Sequence, residues 1–245
     1  MEKLEHSLAI VELFNRAFGK PLAAVLGLAG IQVKDPAHLV PDHVVMSLIV
    51  VLGLCLTLAL LSRRLSLVPS KRQSVLELIV GTFEGLATDF IGEAGRRYVP
   101  LIGSVGLFVL TANLLGLVPG LMSPTSKITV TAGCALVVFV FYHAQGFRTH
   151  GLGYLKQFMG PVPFLAPLMF PIEIISHFSR PVSLSMRLFG NIFSEELLIL
   201  IMFSILPFFL PLPFMAIAMF TAVIQAFVFV LLSCIYIAGA IAEEH

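Results

Sequence analysis

Long apolar runs are the feature that most constrains this chain. Residues 44–61 (VVMSLIVVLGLCLTLALL) carry no charged side chain, and comparable runs fall at 100–118, 130–147, within 164–206 and at 213–242. About 20 apolar residues span a ~30 Å hydrocarbon core as a helix. In lipid the backbone must satisfy its own hydrogen bonds, which a helix does within one segment. Composition agrees: 58% of residues are hydrophobic and 12% charged, where soluble domains run near 45–50% and about 25%. The sequence therefore predicts an all-α polytopic membrane protein with about five membrane-embedded helices.

Several functions are excluded by the same arithmetic. A net charge of +1 leaves no basic surface for nucleic acid. Abundant Leu, Ile, Val and Phe exclude disorder. No phosphate-cradling GxxxxGK[ST] loop exists, since Gly19-Lys20 is followed by Pro21. Any nucleotide chemistry belongs to another chain, and no catalytic residue is assigned. Cys55, Cys134 and Cys234 lie in apolar stretches without CxxC spacing and read as buried thiols, outside any disulfide or metal site. No metal or other cofactor is expected. Glu2, Glu5 and Glu12 interrupt any apolar core of a cleaved signal.

Residues 1–43 read as an N-terminal extracytoplasmic or interfacial segment, with a helix pair over Leu8–Leu28 broken at Gly19-Lys20-Pro21. Residues 44–245 read as the membrane domain. Between its first two spans, 71–98 mixes apolar residues with Glu77, Glu84, Asp89, Glu93, Arg96 and Arg97, and predicts an amphipathic helix on the membrane surface. Pro119-Gly120 predicts a turn, and Pro207 with Pro211-Leu212-Pro213 a break before the last span. The 62–99 connection holds six Lys or Arg and 148–163 holds two, whereas the opposite-side loops hold only Lys127. The positive-inside rule then puts 62–99 and the C-terminus in the cytoplasm and the N-terminus outside, although four basic residues among five acids near the N-terminus weigh against it. No inverted repeat is evident, which argues against the common secondary-transporter designs.

The chemistry concentrates in 171–201, PIEIISHFSRPVSLSMRLFGNIFSEELLILI. Glu173, His177, Arg180, Arg187, Asn191, Glu195 and Glu196 interrupt an otherwise lipid-compatible stretch. At ~100° per residue, Glu173, Arg180 and Asn191 fall within about 40° of Arg187, with Glu196 nearly opposite. Each charge costs at least ~2.5–3.5 kcal/mol at mid-membrane, so so many must face protein or water. Glu173 and Glu196 lie ~35 Å apart along a helix, near opposite surfaces, with Arg187 between them. That is the layout of two half-channels separated by a fixed cation. A secondary transporter or channel acting alone, with the carboxylates as proton sites, is the alternative reading. His177 lacks a second His or Cys at i±3 or i±4 and is not read as a metal ligand. Asn113 is open between channel and packing roles. Tyr236 is assigned to packing or hydrogen bonding against the preceding helix, and the lone amide of Gln225 to pairing near Arg187.

Arg180-Pro-Val-Ser-Leu-Ser-Met-Arg187-Leu-Phe-Gly-Asn191 resembles the signature of subunit a of the F-type ATP synthase. Ala112-Asn-Leu-Leu-Gly-Leu-Val-Pro-Gly120, Phe90-Ile-Gly-Glu with Arg97-Tyr-Val-Pro-Leu, and Gln225 resemble further family features, so the likeness covers most of 75–240. The resemblance implies a proton-conducting stator subunit in a bacterial inner membrane. Its implied partners are a rotating proteolipid c-ring, peripheral stalk subunit b, the remaining synthase subunits and membrane lipid. By the same resemblance Arg187 faces the ring. Asn191, Glu196 and Gln225 line the path from outside, Glu173, Ser176 and His177 the path to the cytoplasm, and the last two long helices tilt strongly along the ring. The ion is read as a proton, with Na⁺ as the alternative. Two departures stand out: Lys127 and Thr129 replace Asp and Asn that many members carry after Ser-Pro-Thr, and Ala218 stands in an apolar neighbourhood where some members have His. Glu195 is the candidate to supply the missing polar group.

Overall fold

A computed structural model describes residues 11–17, 40–63, 65–118, 121–154, 166–206 and 209–242, and these contain helices and no strand. Six long helices follow one another: α1 (Asp42–Leu61), α2 (Lys71–Ile91), α3 (Val99–Leu115), α4 (Ile128–His150), α5 (Ala166–Ile205) and α6 (Pro211–Ile241). Five of them, all but α2, are long and apolar enough to cross a membrane. The chain is an all-α, multi-pass membrane protein. Residues 11–17 are helical, and the Asn15 side chain pairs with the backbone N–H and C=O of Val40. The rest of the interfacial pair expected over Leu8–Leu28, and the turn expected at Pro119-Gly120, lie outside the described residues.

Local chemistry explains the boundaries. Ser70 caps α2 by accepting from the Gln73 N–H, while the Gln73 amide closes the preceding loop through both backbone groups of Ser66. The single amphipathic helix expected over 71–98 is two pieces. Gly92 adopts φ 81°, a left-handed conformation that ends α2, and Glu93–Tyr98 continues as a 3-10 turn. Arg96 folds back across this break to Glu84 at 3.0 Å. Proline stands in the first turn of α3 and of α6, where its missing N–H costs nothing. Several hydroxyls in the spans bond back to carbonyls three or four residues earlier, as Ser194 does to Gly190 and Thr221 to Ile217, which shields those donors from lipid.

The core runs along α6, which touches α2, α3, α4 and α5. Its buried positions (Ala218, Ala222, Ala226, Ser233, Cys234 and Ala240 among them) recur at helical spacing and are mostly small. Small residues let backbones approach where lipid supplies no hydrophobic drive between helices. Gly106 of α3 marks a tight crossing, since a Cβ there would come within 2.5 Å of Val230 and 2.9 Å of Phe83. The opposite faces of the spans are apolar and bare, as at Leu56 and Leu200, 63% and 67% exposed, which suits lipid. Cys234 is buried as expected and Cys134 half-buried, but Cys55 is exposed, because α1 touches only one side of the bundle. The 40-residue α5 is ~60 Å long, about twice a hydrocarbon core, and cannot stand upright in it.

Gly106→Leu should overpack the α2–α3–α6 crossing and cost about 1–3 kcal/mol. Gly53 of α1 has open space around it, so Gly53→Leu should leave stability unchanged or slightly raised. Thermal unfolding of the two variants in detergent checks the contrast.

Candidate functional site

The polar residues of α5 sort into two clusters, with a bare cation between them. The helix buries His177, Leu184, Ser185, Leu188 and Ile192 on one stripe against the bundle. Arg187 points away from that stripe and is exposed. It makes no hydrogen bond or ion pair with any described residue. Asn191, one turn further on, is half-buried. Gln225 is half-buried on α6 and forms no hydrogen bond to Arg187, so the pairing expected from sequence is not made.

Toward the C-terminal half of α5, Glu196 turns inward, as its place opposite Arg187 on the helical wheel requires. Its Oε1 accepts from the Ser123 backbone N–H at 2.8 Å, with Ser126 and Lys127 beside it. The 3-10 turn Pro124–Ser126 is itself buried and cross-linked. Ser123 Oγ donates to Ala112 O, Thr125 donates to Asn113 Oδ1 at 2.7 Å, and the Asn113 amide reaches Ala222 O of α6. Asn113, open in the sequence, thus fastens the turn that holds Glu196. Gly116 completes this seat, because a Cβ there would fall 2.7 Å from the Ser123 Cβ and 2.9 Å from the carboxylate. A cavity of about 240 Å³ lies against Glu196, lined also by Leu117, Met122, Ile199, Phe203 and Met215. At about 30 Å³ per water it has room for several. Glu195 is half-buried beside Thr221 of α6.

Toward the N-terminal half, Glu173 Oε1 lies 3.2 Å from His177 Nε2, one turn away, and the Tyr142 hydroxyl of α4 lies 3.1 Å from His177 Nδ1. Ser176 is half-buried next to them. The His143 ring is 5.1 Å from that of His177, and Tyr154 abuts His143. Arg180 sits over the Tyr236 ring at 5.4 Å, a cation–π contact that ties α6 to the preceding helix. Pro181 lacks the N–H that would bond the His177 carbonyl, so an extra acceptor opens in the same region. No group of three or more His, Cys, Asp or Glu suited to a metal occurs among the described residues.

Tyr142, His143, Ser123 and Thr125 are the residues sequence reasoning passed over. A signal existed for the first two, a polar pair inside the apolar run 130–147. For the others it did not, because a serine or threonine in a turn is ordinary chemistry.

Known proteins resemble this chain over nearly all of the region that carries these clusters. The ATP synthase A chain family matches residues 44–238. The ATP synthase subunit a 1 of Pelobacter propionicus is 46% identical over 214 residues, covering 86% of this chain and 93% of that one. The ATP synthase subunit a of Trichlorobacter lovleyi is 47% identical over 196 residues, 80% of this chain and 85% of its own. That of Geobacter sulfurreducens is 43% identical over 214 residues, again 86% and 93%. With its five spans and its arginine-centred α5, the chain belongs to the ATP synthase A chain family.

Proposed function

We propose that this chain is the non-catalytic, ion-translocating stator subunit of a rotary ATP synthase, working against a ring of proteolipid subunits. The observation that carries the reading is the exposed guanidinium of Arg187, without an anionic partner among the described residues, midway along a helix that is otherwise fit for lipid. A charge in that position needs an opposite charge from outside the chain. A carboxylate borne by each ring subunit supplies one, and supplies a new one at each step of rotation.

The two clusters then serve as the ends of separate water paths. Glu196, with Glu195, Asn191 and Gln225, lines the path from the outside. Glu173, Ser176 and His177 line the path to the cytoplasm. A ring carboxylate facing acyl chains stays protonated, since burial disfavours the charged form. A guanidinium ~4 Å away, at an effective dielectric near 20, favours the ionised form by about 4 kcal/mol. The proton leaves as the carboxylate reaches Arg187, the ion pair forms, and a proton from the other path breaks it. The cation between the paths also opposes a direct leak. The coupled ion is a proton in this reading, and the partners are the c-ring, peripheral stalk subunit b and the other synthase subunits, in a bacterial inner membrane. Loop charge favours the connection between α1 and α2 and the C-terminus as cytoplasmic, and the N-terminus as outside.

In assembled complexes Arg187→Ala should abolish ATP-driven proton pumping, a loss of about 10³-fold for ~4 kcal/mol, while passive proton leak persists. Arg187→Lys should restore little, because a desolvated lysine can shed its proton where arginine cannot. Fluorescence-quench assays on inverted vesicles measure both. Normal pumping in the alanine variant refutes the reading, and transport by the purified chain alone favours an autonomous carrier.

Orientation has its own check. With the three native cysteines replaced, a thiol at the fully exposed Leu67 should react with membrane-impermeant reagents only from the cytoplasmic side. Thiols at 173 and 196 should be reached from the inside and the outside respectively. Access to both from one side would mean a single through-pore.

A further inference from the structure

The cluster on the N-terminal half of α5 has a buried member to which no role has been given. Tyr142 of α4 is 1% exposed, and its hydroxyl lies 3.1 Å from His177 Nδ1, with the Arg180 guanidinium also within its reach. The other ring nitrogen of His177 faces Glu173 at 3.2 Å. An ionised carboxylate can only accept, so Nε2 carries the ring proton. In the neutral imidazole Nδ1 is then a lone pair, and the phenol is the group that donates to it. The opposite tautomer would aim the Nε2 lone pair at the carboxylate, acceptor against acceptor. Accessibility falls along the same row. The side chains of Glu173 and His177 are 39% and 11% exposed, and Tyr142 is 1% exposed. The three groups lead from an accessible carboxylate into the packed seam between α4 and α5.

The surrounding rings hold this geometry in place. Phe139 meets Tyr142 edge-on at 5.5 Å, and His143 packs against Tyr142 at 4.2 Å. Tyr236, which carries Arg180, lies 6.0 Å from Tyr142. Removing the hydroxyl alone would leave the ring packing intact.

We propose that Tyr142 is a positioning residue for ion translocation: it holds His177 in the Nε2–H tautomer, so that Tyr142, His177 and Glu173 form a proton relay across the α4–α5 seam. In the forward step the hydroxyl gives its proton to Nδ1 and takes the incoming one on its oxygen. Nε2–H passes its proton to a Glu173 oxygen. One proton enters and one leaves, and the imidazole ends neutral with its hydrogen on Nδ1. When Glu173 releases its proton to water, the imidazole resets by giving its Nδ1 proton to water and taking one back on Nε2, a net transfer of zero, and repulsion between the Nε2 lone pair and the carboxylate favours that direction. Use of the relay in pumping rests on the proposed function above, while the tautomer does not.

The test uses the assembled complex, reconstituted in membranes with ¹⁵N-labelled histidine. Solid-state ¹⁵N shifts report which ring nitrogen is protonated, and the His177 signals are those missing from His177→Gln. The wild type should show a protonated Nε2 and a bare Nδ1. Tyr142→Phe should lose that single form and slow ATP-driven pumping by about tenfold, the scale of one lost buried hydrogen bond. A wild-type Nδ1–H form, or a Tyr142→Phe complex with unchanged tautomer or unchanged pumping, overturns the proposal. Should Tyr142→Phe fail to assemble, free imidazole added to His177→Ala vesicles decides: restored pumping supports the relay, and no restoration overturns it. Persistent pumping in Arg187→Ala would instead sink the stator reading and leave the tautomer standing.

Discussion

A charge has no place in hydrocarbon unless something neutralises or hydrates it, and the arrangement around α5 follows from that constraint. The helix carries Glu173, His177, Arg180, Arg187, Asn191, Glu195 and Glu196 within a segment fit to cross a membrane. Glu196 is met by a backbone N–H, His177 by a carboxylate and a phenol, and Arg180 by an aromatic face. Each of those partners comes from within the bundle. Arg187 is the exception: it is exposed and pairs with none of the described residues.

The other helices can be understood as the means of supplying these partners. α4 brings Tyr142 and His143 to one half of α5, and the buried turn ahead of α4 brings Ser123 to the other half. α6 lies along both, with small side chains that let it come close enough for Ala222 to anchor Asn113 and Tyr236 to carry Arg180. Using a backbone N–H to hold Glu196 has a physical advantage. It is a neutral donor in a buried turn, so it orients the carboxylate without a fixed cation in direct contact. Nearby Lys127 adds a longer-range attraction. Ala218 is buried on α6, and Glu195 stands beside Thr221 of the same helix.

The relation between the halves of α5 also accounts for its length. A helix that holds one polar cluster in each half and Arg187 between them is longer than a minimal span. Forty residues provide the reach, and prolines at 171 and 181 leave carbonyls without intrahelical donors in the half where the histidine cluster sits. Such open carbonyls survive at membrane depth only where protein or water can reach them.

Much of this was already legible in the chain. The apolar runs set the number and approximate limits of the spans, because hydrocarbon tolerates only helices of sufficient length. Helical periodicity placed Arg187 and Glu196 on opposite faces, which is the relation found. The end of α2 was misjudged by pattern alone, since a glycine reads the same with φ positive or negative until the chain is folded. The partners were beyond sequence altogether. Tyr142 and His177 are 35 residues apart and Ser123 and Glu196 are 73 apart. Hydropathy and helical period are properties of one segment in one solvent, and the sequence by itself determined those. Which buried hydroxyl meets which imidazole, whether Cys55 faces lipid or core, and that Gln225 does not reach Arg187 depend on how separate helices pack, and only the tertiary structure decided them.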